Sequence, residues 1–184
     1  MLPMGSRIRR WLYQSTQASV AISTAERLAR WFAPVEGELK LGGRYQVKGN
    51  AGGTITRCDP PHAVDLTWEF GGGTSWVELR VTPDGEKARL TLEHIAHKDG
   101  IGEEHLQKFG PGAVGIGWDL GFYGLEMHVA APTAPRDQAA IDAWTVSEDG
   151  KAFVRASGEA WGAAHAASGE DPAEATAKAK RSSQ

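Results

Sequence analysis

Three segments between residues 64 and 94 alternate between inward apolar positions and an opposite, mostly polar face. In VDLTWEF, Val64, Leu66, Trp68 and Phe70 alternate with Asp65, Thr67 and Glu69. In SWVELRV, Val77, Leu79 and Val81 alternate with Trp76, Glu78 and Arg80, and in ARLTLEH, Leu90, Leu92 and His94 share a face opposite Arg89, Thr91 and Glu93. A period of two places one face against a core and the other in water, which predicts antiparallel strands. Turn residues separate them: Gly42-Gly43, Gly49 to Gly53, Pro60-Pro61, Gly71 to Gly73 and Asp84-Gly85. Short strands joined by such turns make a meander.

Helical periods flank the strands. Ser23 and Glu26 have capping-box spacing, predicting a short helix from about Thr24 with Leu28, Trp31 and Phe32 on one side and Pro34 ending it. After Ile95 the strand pattern stops. Gly110-Pro111-Gly112 opens a helix with two apolar stripes, Val114, Trp118, Phe122, Leu125 and Val129 on one and Ile116, Leu120, Tyr123 and Met127 on the other. A helix apolar on two sides is largely buried. One face meeting a second copy of the chain, in a homodimer, would cover it; sheet and loop cover would do so equally. Gly117 and Gly121, one turn apart, are expected to let another backbone come close. APTAPRDQAA reads as a loop, followed by a helix from about Glu148 to Ala167 with Phe153, Trp161 and Ala164 inward, stopped at Ser168-Gly169. Asp171, Pro172 and Glu174 restart a helix, and KAKRSSQ reads as a fraying polar end.

Composition narrows the partners. The 184 residues suit one domain, and a net charge of −3 does not favour nucleic acid. The apolar run 113–131 nearly reaches the roughly 20 residues of a membrane span, but Asp119, Glu126 and His128 interrupt it on different sides, so no span is expected. A single cysteine, Cys58, excludes an internal disulfide and fits a reducing, cytoplasmic compartment. No acidic residue precedes Glu26, while Arg7, Arg9 and Arg10 stand among serines. That is transit-peptide composition, but without a long apolar core a poorly ordered basic arm is the expectation.

Four segments in order, AISTAERLARWF, LGGRYQV, CDPPHAVDLTWEF and ARLTLEHIAH, resemble the START-like, helix-grip superfamily (SRPBCC, Bet v 1-like). Within it they look like the subgroup of activator of Hsp90 ATPase homologues. The resemblance covers roughly residues 20–97, and GIGWDLG and FVRASGEAWGAAHAASGEDP look like a C-terminal form of some bacterial members. It implies an α+β fold, a curved antiparallel sheet packed around C-terminal helices, with short helices after the first strand. Residues 1–19 are then an arm or a degenerate first strand, with RWLYQST (10–16) the candidate; 20–169 are the domain, and 170–184 a polar, partly helical tail. The Val-Trp pair that usually starts the first helix is missing.

The resemblance also implies an apolar cavity between sheet and helix, holding a small apolar molecule. Alternation assigns Val64, Leu66, Trp68, Phe70, Val77, Leu79, Leu90 and Leu92 to its sheet side. Trp118, Phe122 and Leu125 are the helix residues that would close it. His94, on the parity of Leu90 and Leu92, is the candidate polar group, either orienting a ligand or moving protons as in polyketide cyclase-like enzymes. Chaperone regulation is the remaining implication. Better-studied eukaryotic members carry a further N-terminal domain with a Trp-His-Trp-type motif, which this sequence lacks, so no chaperone partner is expected.

Other chemistry finds little support. His94 and His97, three apart on a strand, should face opposite ways, and Asp99, Glu103, Glu104 and His105 follow at no recognised ligand spacing, so neither metal nor cofactor is expected. The same absence argues against an iron oxygenase domain. There is no G-x-S-x-G, and the glycines at 49–53 lack the Lys-Ser/Thr of a phosphate loop and read as a hairpin.

Overall fold

The computed structural model describes residues 4–7, 11–14, 24–97 and 103–184. Eight strands form one open antiparallel sheet: β1 (Met4–Arg7), β2 (Trp11–Gln14), β3 (Val35–Gly37), β4 (Arg44–Val47), β5 (Gly52–Asp59), β6 (Ala63–Phe70), β7 (Gly73–Asp84) and β8 (Lys87–Ala96). Their order is β1-β8-β7-β6-β5-β4-β3, and β2 also pairs with β8. The helices are α1 (Ala25–Trp31), α2 (Glu103–Phe109), α3 (Gly112–Ala130), α4 (Gln138–Val146), α5 (Glu148–Ala167) and α6 (Pro172–Ser182). The chain divides into two compact units, residues 1–101 with 124–134, and residues 102–123 with 135–184.

In the first unit the meander forms as the alternation requires. The β6–β7 hairpin turns on Gly71 and Gly72, both at positive φ, a pair that matches the twist of the strands. Gly85 alone supplies the positive φ of the β7–β8 turn. The expected strand in 10–16 is β2, with Trp11 opposite Leu90. β1 lies beside the other half of β8, with Met4 opposite Ala96, so two short strands in the expected arm border the sheet.

The glycine run at 49–53 is only partly the expected turn. Gly52 and Gly53 are strand residues of β5. Tyr45 pairs with Gly53 and its hydroxyl reaches past it to donate to the Thr67 carbonyl on β6 at 2.7 Å. A bare glycine gives the ring that path. Tyr45, Val47 and Ile55 form a core cluster on which Phe32, Val35, Leu66 and Trp68 pack.

The cap of helix α1 lies one residue after the expected one, Ser23, which lies outside the described residues. Thr24 takes the role, accepting from the Arg27 amide at 3.3 Å. Glu26 pairs with Arg30 at 2.6 Å.

The second unit is helical. α5 spans Glu148–Ala167 as read from the sequence, although Ala164 is exposed. α6 is capped by Asp171, which accepts from the amides of Ala173 and Glu174 at 3.0 Å. Its end does not fray as expected. Ser182 donates to the Phe109 carbonyl at 2.6 Å and Arg181 to that of Lys108 at 2.7 Å. α2 and α4 were not read from the sequence. Seven and nine residues long, neither has room for a strong period, and α4 begins inside the expected loop, where Asp137 caps it.

α3 corrects the stripes. Its buried side runs through Gly112, Gly115, Ile116, Asp119, Phe122, Leu125 and His128, while Val114 and Met127 are exposed. Two polar side chains expected to interrupt the helix therefore lie on its most buried side. Gly117 is not a point of close approach, since a Cβ there would meet nothing within 4 Å. Gly115 is: its Cβ would fall 2.0 Å from Trp161.

Candidate functional site

The register of β6, β7 and β8 assembles the predicted sheet residues into rows on one face. Val64, Leu79 and Leu92 are opposite one another, as are Leu66, Val77 and His94. Ile55 extends the second row. Trp68 pairs with Ser75 at the end of the face. Alternation thus brings together seven of the eight expected sheet positions at full or partial burial.

They are not equivalent. Val77, Leu90 and Leu92 are at most 3% exposed and are core. Val64, Leu66, Trp68, Leu79 and His94 are half-buried, and these are the ones a ligand could touch. Phe70 is the correction: it is 61% exposed. Its cross-strand partner is Gly73, beside the hairpin turn, which offers no side chain to pack against. Trp118 is half-buried and Phe122 buried, one turn apart on α3 within the second unit.

His94 carries the polar chemistry of the face. Its Nε2 is 2.7 Å from the Ser75 hydroxyl, which donates to the Trp68 carbonyl at 3.1 Å. A hydroxyl has one proton and a carbonyl only accepts, so Nε2–H donates to Ser75. The ring meets Trp68 edge-on, centroids 6.1 Å apart. Burial pushes its pKa down to about 4, so the imidazole is neutral at physiological pH. Ser75 was missed in the sequence; its parity with Val77 was the available signal.

The opposite face is ionic. Arg80 binds Asp65 and, at 2.9 Å, Glu78, and Arg44 binds Glu69 at 2.8 Å. His97 lies edge-on to Trp76 at 5.2 Å. Trp76 belongs to this other face, so His94 and His97 diverge as their spacing requires. Asp99 lies outside the described residues. Cys58, opposite Val64, is half-buried on the apolar side.

The family profile described as activator of Hsp90 ATPase homolog 1-like protein matches residues 20–129. The chain belongs to this family. Its match takes in α1, the meander from β3 to β8 and nearly all of α3, and leaves β1, β2 and α4 to α6 outside. Among solved structures, CalU16 from Micromonospora echinospora, determined by solution NMR, is 28% identical, with a TM-score of 0.68 over 92% of this chain and 99% of that one. DynU16, from the dynemicin biosynthetic locus, is 17% identical, with a TM-score of 0.60 over 72% of this chain and 49% of its own. PFC0360w, an HSP90 activator from Plasmodium falciparum, is 19% identical, with a TM-score of 0.50 over 71% and 97% of the two chains. At those identities the last two share the fold. No curated protein matches the chain. The α+β, helix-grip class read from the sequence is thus the class of this family member. No helix among the described residues is long and apolar enough to cross a membrane.

Proposed function

We propose that this family member binds a small, largely apolar molecule against the inner sheet face, without transforming it. One observation carries the reading: half-buried Val64, Leu66, Leu79 and Trp68 lead to the hydrogen-bonded His94–Ser75 pair. An apolar surface with one fixed polar group is how small-molecule sites hold and orient their ligands. Each 100 Å² of apolar ligand surface removed from water contributes about 2.5 kcal/mol. The single cysteine supports a cytoplasmic setting.

Proton transfer by His94, as in polyketide cyclase-like enzymes, is the second reading, favoured by the hydrogen bond to Ser75, which fixes the tautomer and orientation of the ring. A pKa of about 4 makes the imidazole a weak base, better suited to orienting a ligand than to abstracting a proton. PFC0360w is an HSP90 activator; for this chain, stimulation of a chaperone ATPase is an outcome to be tested.

Thermal shift against a panel of apolar and aromatic polyketide-like compounds, with native mass spectrometry of the purified protein, tests the proposal. A ligand at a hundred times its Kd stabilises by about 2.7 kcal/mol, a rise of roughly 5–10 °C in Tm for a domain of this size. A rise that Leu66→Asp and Trp68→Ala both abolish supports the reading. No rise with any compound, together with no co-purifying small molecule, ends it. Turnover of a bound compound that is lost in His94→Gln moves the assignment to the enzyme. A chaperone ATPase rate raised by saturating protein moves it to the regulator.

A further inference from the structure

Within the first unit, α1 meets the C-terminal part of α3. Gly124, His128 and Pro132 recur every four residues along α3 and just past it, and Arg27, Arg30 and Trp31 share a side of α1 by helical spacing. A Cβ on Gly124 would stand 2.5 Å from the Trp31 carbonyl, so glycine permits the approach there. Arg30 Nη1 donates to the Pro132 carbonyl at 3.1 Å. Between these anchors His128 is 6% exposed.

The charges acting on His128 come from α1. Arg27 and Arg30 both disfavour its protonation, and burial does so more strongly. Glu26, the nearby carboxylate on α1, is largely in water and bound to Arg30 at 2.6 Å. On its own helix, Glu126 is exposed. A proton on His128 would place a third cation beside two guanidinium groups, out of water. The C-terminal end of α3 favours a cation, but burial and the two arginines prevail, since the imidazole is held below its ordinary pKa of 6.5.

We propose that the α1–α3 contact is an acid-released latch, closed while His128 is neutral and loosened when it takes up a proton. The unfolded or released histidine binds a proton below about pH 6.5, and the packed one only at lower pH. In that window the released state holds more protons, so the contact weakens as pH falls. Release frees the segment whose Phe32 packs on the Tyr45–Val47–Ile55 cluster.

Hydrogen exchange of residues 24–33, corrected for intrinsic exchange and followed from about pH 7.5 to about pH 5, tests the latch. Opening should rise roughly tenfold for each pH unit by which the packed histidine's pKa is depressed. His128→Gln should abolish that rise, and His94→Gln should leave it intact. Constant protection in the unaltered protein, or a rise that persists in His128→Gln, overturns the proposal. Should His128→Gln fail to fold, NMR titration of the His128 ring in Arg27→Gln decides: its midpoint should move up, and an unchanged midpoint overturns the latch.

Discussion

The Tyr45 hydroxyl donates to the Thr67 carbonyl two strands away, at 2.7 Å, across the bare backbone of Gly53. The phenol is buried and near Glu69, both of which push its pKa up, so it stays a donor across the physiological range. Tyr45→Phe should lower stability by about 1 kcal/mol, the net value of one hydrogen bond. Gly53→Ala should cost more, about 2 kcal/mol or above, because its Cβ would lie 2.0 Å from the Thr67 carbonyl. Urea midpoints at constant m-value check both; Gly53→Ala as stable as the parent protein would contradict the geometry.

Asp119 is fully buried and accepts from the Ser157 hydroxyl at 2.5 Å and from the Trp161 indole N–H at 3.2 Å, all within the helical unit. Asp119→Ala leaves both donors buried without an acceptor and should cost about 2–4 kcal/mol. Ser157→Ala removes one donor and should cost about 1–2 kcal/mol. In the double variant the two costs should be less than additive, since the residues share a bond. Strict additivity in denaturation would exclude the coupling.

His94 predicts an acid limb. Its pKa falls from 6.5 to about 4 on folding. Between those values the unfolded chain holds the extra proton, so stability declines as pH falls from about 6.5 and levels off below about 4. The decline amounts to on the order of 3 kcal/mol. His94→Gln should flatten that part of the stability–pH curve, with His128 contributing separately. An acid limb unchanged in His94→Gln would count against the buried, neutral imidazole.

Gly115 and Gly117, two residues apart on α3, should respond in opposite directions to alanine. Gly117→Ala meets open space and should stabilise by about 0.5–1 kcal/mol, the helical preference of alanine over glycine. Gly115→Ala drives a methyl into the Trp161 ring, 2.0 Å away, and should destabilise by about 1–3 kcal/mol. Thermal melts of the pair give the test, and a shared sign would show that Trp161 yields.

The strands of residues 63–96 were legible because period two needs only local sequence, and parity also placed His94 correctly. What escaped depends on neighbours distant in sequence. Phe70 is the exception: its partner Gly73 is close in sequence, but only the turn between them shows that the ring has no side chain to pack on. Asp119 and His128 look like solvated interruptions until Ser157, Trp161 and the arginines of α1 are placed around them. Gly53 reads as a turn residue unless Tyr45 is known to lie over it. Helices α2 and α4 hold no long apolar period, since α4 buries no residue fully and rests on Trp144 stacked against Tyr123 at 4.6 Å.

The border made by β1 and β2 bears on how this protein is handled. The family match begins at residue 20, whereas the backbone partners of β8 beyond β7 are Met4–Arg7 and Trp11–Gln14. A fragment cut to the family boundary would leave one side of β8 with a row of unpaired N–H and C=O groups, open to any extended chain that reached it. Such a fragment should self-associate through that strand, and its oligomers would report the missing β1 and β2 rather than the habit of the native protein.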